Sequence, residues 1–163
     1  MADSFSACEI VELGIQIEKN GKEFYMALAG KTGEPEARKA FKELAEAEEQ
    51  HISVFEKIFK GACDYEPREA YPEEYFAYMN ALASQYVFTR KGKGAEVAGS
   101  VSDYAEGITL GIGFEKDSIL FYQEMKNMVP ESDRGLVERL ISEEKEHLSR
   151  LCSLKGGCDR EEG

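Results

Sequence analysis

Glu48-Glu49-Gln50-His51 and Glu144-Lys145-Glu146-His147 carry the only two histidines of the 163-residue chain. In each stretch a glutamate precedes the histidine by three positions. Residues three apart on an α-helix share a face, so one carboxylate and one imidazole can close on a single metal ion. The two motifs stand 96 residues apart. Upstream of each lies a second repeated stretch. Gly14-Ile15-Gln16-Ile17-Glu18-Lys19-Asn20-Gly21-Lys22-Glu23-Phe24-Tyr25 aligns with Gly111-Ile112-Gly113-Phe114-Glu115-Lys116-Asp117-Ser118-Ile119-Leu120-Phe121-Tyr122 at an offset of 97. The chain thus reads as two copies of one unit: a helix with a central glutamate, a short turn, and a helix with E-x-x-H. A repeat of this kind fixes the architecture. Two helix hairpins predict an all-α four-helix bundle, with Glu18, Glu48, His51, Glu115, Glu144 and His147 as inward-facing candidate ligands.

Composition narrows the function. The length suits one domain, residues 1–163, with a real core. A 42% hydrophobic and 32% charged content is that of a folded globular chain. The net charge of −12 argues against nucleic acid, which needs a basic footprint, and favours attraction of cations. No apolar run reaches the roughly 20 residues of a membrane span. Met1-Ala2-Asp3-Ser4 lacks the basic and apolar regions of a signal peptide. Cys8, Cys63, Cys152 and Cys158 form no C-x-x-C pair, which leaves no zinc ribbon or rubredoxin-type iron site. Read as free thiols without an export signal, they point to a reducing cytoplasm.

The expected helices cover about 7–30, 35–60, 72–88, 103–129 and 133–154, with a loose tail over 155–163. Ser6-x-x-Glu9 is a capping box for the first, and Pro35 suits the first turn of the second. Ser102 and Ser132 are the expected caps of the last two, Pro130 the break between them, and Gly156-Gly157 the stop. Residues 62–102 are too long for a tight hairpin and form a crossover between the two halves, with a short helix of its own. Arg90-Lys91-Gly92-Lys93-Gly94 reads as an exposed basic loop, either solvated surface or a docking point. At ~1.5 Å rise per residue, Glu18 and Glu48 lie equally far from the turn that joins their helices. Antiparallel packing then sets them side by side, and Glu115 and Glu144 likewise.

Each candidate ligand interrupts an apolar stripe: Glu48 stands between Leu44 and Ile52, Glu144 between Leu140 and Leu148. A buried carboxylate is costly unless paired, protonated or bound to metal, and four together repel. Two divalent cations offset four negative charges, and a carboxylate–imidazole set suits iron or manganese. Tyr25 and Tyr122 lie seven residues after Glu18 and Glu115 on the same face, where their hydroxyls can donate to ligand carboxylates.

One glutamate from each of two helices, with E-x-x-H from each of the other two, is the di-iron pattern of ferritin-like bundles. The chain resembles the ferritin-like superfamily over residues 5–155, and within it the rubrerythrin-like di-iron domains, to which Glu115–Tyr122 is similar. The resemblance implies that Glu18 and Glu115 bind terminally, that Glu48 and Glu144 bridge, and that His51 and His147 are nitrogen ligands. It implies two iron ions as cofactor, with manganese or zinc as alternatives, and a non-haem di-iron oxidoreductase acting on peroxide or O2 in oxidative stress. Without a rubredoxin-type iron domain, the electrons come from an external donor such as a rubredoxin-like protein. A homodimer is expected, without nucleic-acid or membrane partners. Rubrerythrins proper carry a further glutamate three residues from the one on the third bundle helix; Ile112 and Ser118 occupy those positions, which puts peroxide turnover in question. Ferroxidase or iron handling, and a metal-binding module without turnover, remain open alternatives.

Overall fold

The computed structural model describes residues 6–66 and 72–161, with side chains through residue 156. Met1-Ala2-Asp3-Ser4 and the Cys158 side chain lie outside the described part. Six α-helices and one 3-10 turn make up the described residues: α1 (Ala7–Lys31), α2 (Pro35–Ala62), α3 (Glu73–Gln85), the turn Val87–Thr89, α4 (Lys93–Ser100), α5 (Tyr104–Met128) and α6 (Glu131–Glu161). No helix among them is long and apolar enough to cross a membrane. The fold is the ferritin-like bundle. Helix α1 pairs with α2 and α5 with α6, while α1 against α5 and α2 against α6 close the bundle.

Local chemistry sets the helix starts. The Ser6 hydroxyl accepts from the Glu9 N–H at 3.2 Å, and the Glu9 carboxylate accepts from the Ser6 N–H at 2.8 Å. That reciprocal pair satisfies two of the donors left free at a helix start. Pro35 opens α2, where its missing N–H costs nothing. Along α2, Phe41, Leu44, Ala45, Ile52, Phe55 and Ile58 are buried in one stripe. Each large apolar side chain so buried contributes roughly 1.5–3 kcal/mol.

Several boundaries differ from the expectation. The cap of α5 is Asp103, whose carboxylate accepts from the Glu106 N–H at 2.8 Å. Ser102 instead donates its N–H and hydroxyl to the Glu106 carboxylate, at 2.7 and 2.6 Å. Ser132 is not the N-cap, because it lies inside α6, which begins at Glu131; the Asp133 N–H donates to the Pro130 carbonyl at 2.9 Å. Gly156-Gly157 does not stop α6, which runs to Glu161, so the tail expected to be loose is helical that far. Two glycines weaken a helix by only about 2 kcal/mol relative to alanine. A glycine stop also needs a left-handed cap, and Gly92 is the sole described residue with positive φ.

The crossover holds more structure than one helix. Its first helix ends at Gln85, because Tyr86 turns to an extended conformation. The expected basic loop is only partly one. Arg90, Lys91 and Gly92 are exposed, but Lys93 begins α4 and Gly94 is buried. Asn20 holds this segment on α1. Its amide donates to the carbonyls of Phe88 and Arg90, and its oxygen accepts from the Gly94 N–H at 3.0 Å.

The reading of four free cysteines is also corrected. Cys8 and Cys63 form a disulfide, with Cα atoms 4.4 Å apart, joining the start of α1 to the end of α2. Two antiparallel helices of similar length bring those ends together. The inference from free thiols to a reducing cytoplasm loses its premise for this pair. Cys152 is a free, exposed thiol.

Candidate metal centre

The six ligand candidates meet in the middle of the bundle. Glu18 comes from α1, Glu48 and His51 from α2, Glu115 from α5, Glu144 and His147 from α6. Glu18, Glu48, His51, Glu115 and Glu144 are buried, and the His147 side chain is 13% exposed. Three carboxylate oxygens surround His51 Nδ1: Glu144 Oε1 at 2.8 Å, Glu18 Oε2 at 3.3 Å and Glu48 Oε2 at 3.4 Å. Around His147 Nδ1 stand Glu144 Oε2 at 3.3 Å, Glu48 Oε1 at 3.7 Å and Glu115 Oε2 at 4.0 Å. Glu48 and Glu144 therefore each give one oxygen to either side, whereas Glu18 serves only the first and Glu115 only the second. The imidazole rings stack with centroids 5.4 Å apart.

Tyr25 and Tyr122 do reach ligand carboxylates, and they cross over to do so. The Tyr25 hydroxyl, on α1, donates to Glu115 Oε1 on α5; the Tyr122 hydroxyl, on α5, donates to Glu18 Oε1 on α1. Each terminal carboxylate is held on one oxygen by a phenol and turns the other toward a histidine. Gly111 leaves room for this, since a Cβ there would lie 3.3 Å from the Tyr25 hydroxyl.

Charge balance is strained by burial. Burial, then the charges of Glu144 and Glu18, hold the Glu48 carboxyl well above its ordinary pKa. Burial and Glu144 raise Glu115; burial and Glu18 raise Glu144. Burial also opposes ionisation of Glu18, but hydrogen bonding with Glu48 and His51 outweighs it and lowers that pKa. Burial disfavours the His51 imidazolium, yet Glu144, Glu18 and Glu48 together raise its pKa. His147 is lowered by burial, which Glu115 offsets only in part.

This set fits a pair of metal ions. A ring nitrogen has one hydrogen or one lone pair to offer, so it cannot satisfy three carboxylate oxygens by hydrogen bonding. Glu144 Oε1 and His147 Nδ1 are buried with no hydrogen bond; the 2.8 Å approach of Glu144 Oε1 to His51 is close but not directed as one. Orphaned buried acceptors are costly, and a cation removes the cost. Ligand atoms of Glu18, Glu48, His51 and Glu144 lie within 4.8 Å of one another, as do those of Glu48, Glu115, Glu144 and His147.

The rubrerythrin family model matches residues 9–155. The chain belongs to the rubrerythrin family. It is also similar to a crystal structure from Thermotoga maritima, described as a putative ferritin-like diiron-carboxylate protein. That match has 27% identity and a TM-score of 0.65, and covers 95% of this chain and 97% of the other. None of the curated proteins matches the chain. Family and geometry together identify a buried Glu/His site for a pair of metal ions.

Two features of the site escape the sequence reading. Ser118, one of the two positions three residues from Glu115, is buried with its hydroxyl 2.8 Å from that of Tyr86, and Tyr86 also donates to the Phe114 carbonyl at 3.0 Å. Glu143 stands beside the motif glutamate Glu144, with Oε2 2.8 Å from His51 Nε2. The signal for it was adjacency alone, because its counterpart in the repeat is Ala47.

Proposed function

We propose that the metal pair is iron and that the centre reduces peroxide or O2 with electrons from an external donor, such as a rubredoxin-like protein. The observation that carries the reading is the shared placement of Glu48 and Glu144, each with one oxygen toward either histidine. Two carboxylates spanning two positions would hold two ions close enough to act on one small molecule. Glu18 and Glu115 would serve as terminal ligands, and His51 and His147 as nitrogen ligands. Bound ferrous iron supplies one electron per ion, which matches the two-electron reduction of a peroxide O–O bond.

The remaining residues prepare the site. Tyr25 and Tyr122 fix the outer oxygens of Glu115 and Glu18, so that little reorganisation is needed when charge changes. Phe41 stacks on Tyr25 and Phe55 packs on Tyr122, with ring centroids 6.2 and 5.0 Å apart, which keeps both phenols dry and oriented. The oxygen donors suit iron and manganese better than thiolate-preferring metals.

Anaerobic loading with ferrous iron, followed by iron counting and rapid mixing with peroxide or O2, tests the proposal. Two ions per chain and faster oxidation by peroxide are expected. One ion or none, in protein that keeps its helical signal, overturns the metal-pair reading. Faster oxidation by O2 with a mineralising ferric product replaces it with iron storage.

A further inference from the structure

The internal repeat pairs Glu48 with Glu144 and His51 with His147 at an offset of 96. One contact breaks that symmetry. Glu143 Oε2 lies 2.8 Å from His51 Nε2. The corresponding position beside His147 is Ala47, whose methyl group accepts nothing. We propose that Glu143 is a positioning residue that fixes the His51 ring and makes the two metal positions unequal, so that the Glu18, Glu48, His51 and Glu144 position fills first. The inference rests on the metal-pair reading and goes beyond it by ordering the two positions.

The geometry assigns the direction of the contact. Nδ1 of His51 faces three carboxylates of the centre, so the ring's outer nitrogen is the one turned to Glu143. A carboxylate can only accept. Nε2 must therefore carry a hydrogen, so an entering ion would displace the Nδ1 hydrogen shared with Glu18 and take the Nδ1 lone pair. A carboxylate behind a ligating histidine fixes the tautomer and ring orientation and raises the basicity of the metal-facing nitrogen. Glu143 itself is kept out of the ligand set, because it sits on the far side of the ring. Its side chain is 42% exposed while the imidazole is 2% exposed, so it reaches inward from the surface of α6. Arg139, one turn earlier on α6, approaches its other oxygen at 3.8 Å.

His147 lacks this support, and its surroundings are looser. Carboxylate oxygens lie 3.3–4.0 Å from its Nδ1, against 2.8–3.4 Å for His51. An unsupported imidazole loses more rotational freedom on binding an ion, and offers it a less basic nitrogen.

Stepwise titration of the metal-free full chain with cobalt(II), read by its visible absorption, tests the order. The wild-type chain should bind two ions in two separated steps. Glu143→Ala should weaken the first step by roughly 10–100-fold, the usual effect of removing such a partner, and bring the steps together. Glu143→Gln keeps an acceptor for Nε2 without the charge, and should restore part of the loss. Ala47→Glu should tighten the second step. In the metal-free protein, the His51 Nε2 hydrogen should be visible by nitrogen-15 NMR and lost to exchange in Glu143→Ala. If Glu143→Ala leaves both steps as in the wild type, or weakens both equally, the proposal is overturned and the metal pair stands. Two wild-type steps of equal affinity overturn it in the same way. A wild-type chain that binds no cobalt overturns both.

Discussion

A buried phenol aimed at a buried carboxylate acts according to the charge of its partner. Tyr122 donates to Glu18, whose pKa is lowered despite burial by hydrogen bonding with Glu48 and His51; Tyr25 donates to Glu115, whose pKa is raised by burial and by Glu144. In the metal-free protein, Tyr122 thus bonds the carboxyl that ionises more readily and Tyr25 the one that resists ionisation. Hydrogen bonds to charged groups contribute about 1.5–3 kcal/mol and neutral ones about 0.5–1.5. Tyr122→Phe should therefore destabilise the metal-free protein more than Tyr25→Phe, as measured by urea denaturation. Metal ionises both carboxylates, and the two variants should then lose similar amounts. Equal losses without metal count against this order of ionisation. The seven-residue spacing placed both tyrosines on the face of Glu18 and Glu115, so their involvement was legible. Their crossing was not, because it depends on how α1 and α5 face each other. Glu143 was hidden for another reason: a search by repetition passes over a residue whose counterpart is alanine.

Between elements, the decisive contact is the one that ties the crossover to the first hairpin. A Cβ at Gly94 would lie 1.9 Å from the Asn20 carbonyl oxygen, so α4 lies against α1 backbone to backbone. Backbone cannot swing aside as a side-chain tip can. Gly94→Ala should cost at least the roughly 1–3 kcal/mol of ordinary overpacking, and should disturb the Asn20 hydrogen bonds as well. At Gly113, inside α5, the added methyl group meets nothing within 4 Å. Gly113→Ala should therefore stabilise by up to about 1 kcal/mol through helix propensity and reduced unfolded-chain freedom. Thermal melts of the two variants should move in opposite directions, and a shared direction would contradict this account. Sequence periodicity found the long helices because each carries several turns of apolar stripe. It read the start of α4 as loop because glycine and lysine there signal a turn locally. Burial against α1 overrides that preference, and nothing local to residues 90–94 announces it. Asn20 gave no warning either, since its counterpart in the repeat is an exposed aspartate, Asp117.

At the scale of the whole molecule, the repeat made the bundle legible: two hairpins with ligands in register have few other ways to bury four glutamates. The Cys8–Cys63 bridge was within reach of the same reasoning, since equal antiparallel helices juxtapose their outer ends, but cysteine spacing alone does not show it. The bridge spans 55 positions, and closing a loop of that size removes unfolded-state entropy of about 4 kcal/mol. Reduction should lower the unfolding free energy measured by urea denaturation by up to that amount while leaving metal stoichiometry unchanged, because the bridge sits at the end of the hairpin and not at the centre.

The metal centre also governs how stability follows pH. In the unfolded chain the glutamates titrate near about 4.3 and the histidines near about 6.5. Burial and neighbouring carboxylates raise Glu48, Glu115 and Glu144 in the folded, metal-free protein. Above about pH 4.3 the folded state then holds more protons than the unfolded one, and stability falls as pH rises. His51, raised by its three carboxylates against the effect of burial, adds to the fall above about pH 6.5. Two groups oppose it. Glu18, lowered, acts only below about pH 4.3, and His147, lowered by burial, only below about 6.5. Between about pH 6.5 and about pH 8.5 the falling contributions from this centre act unopposed, so the metal-free melting temperature should decline across that interval. Bound metal requires ionised carboxylates and displaces their protons. The gap between metal-loaded and metal-free melting temperatures should therefore widen with pH over the same interval. A metal-free melting temperature that climbs there would mean that the four carboxylates ionise without repulsion, and the charge crowding that motivates a metal pair would be absent.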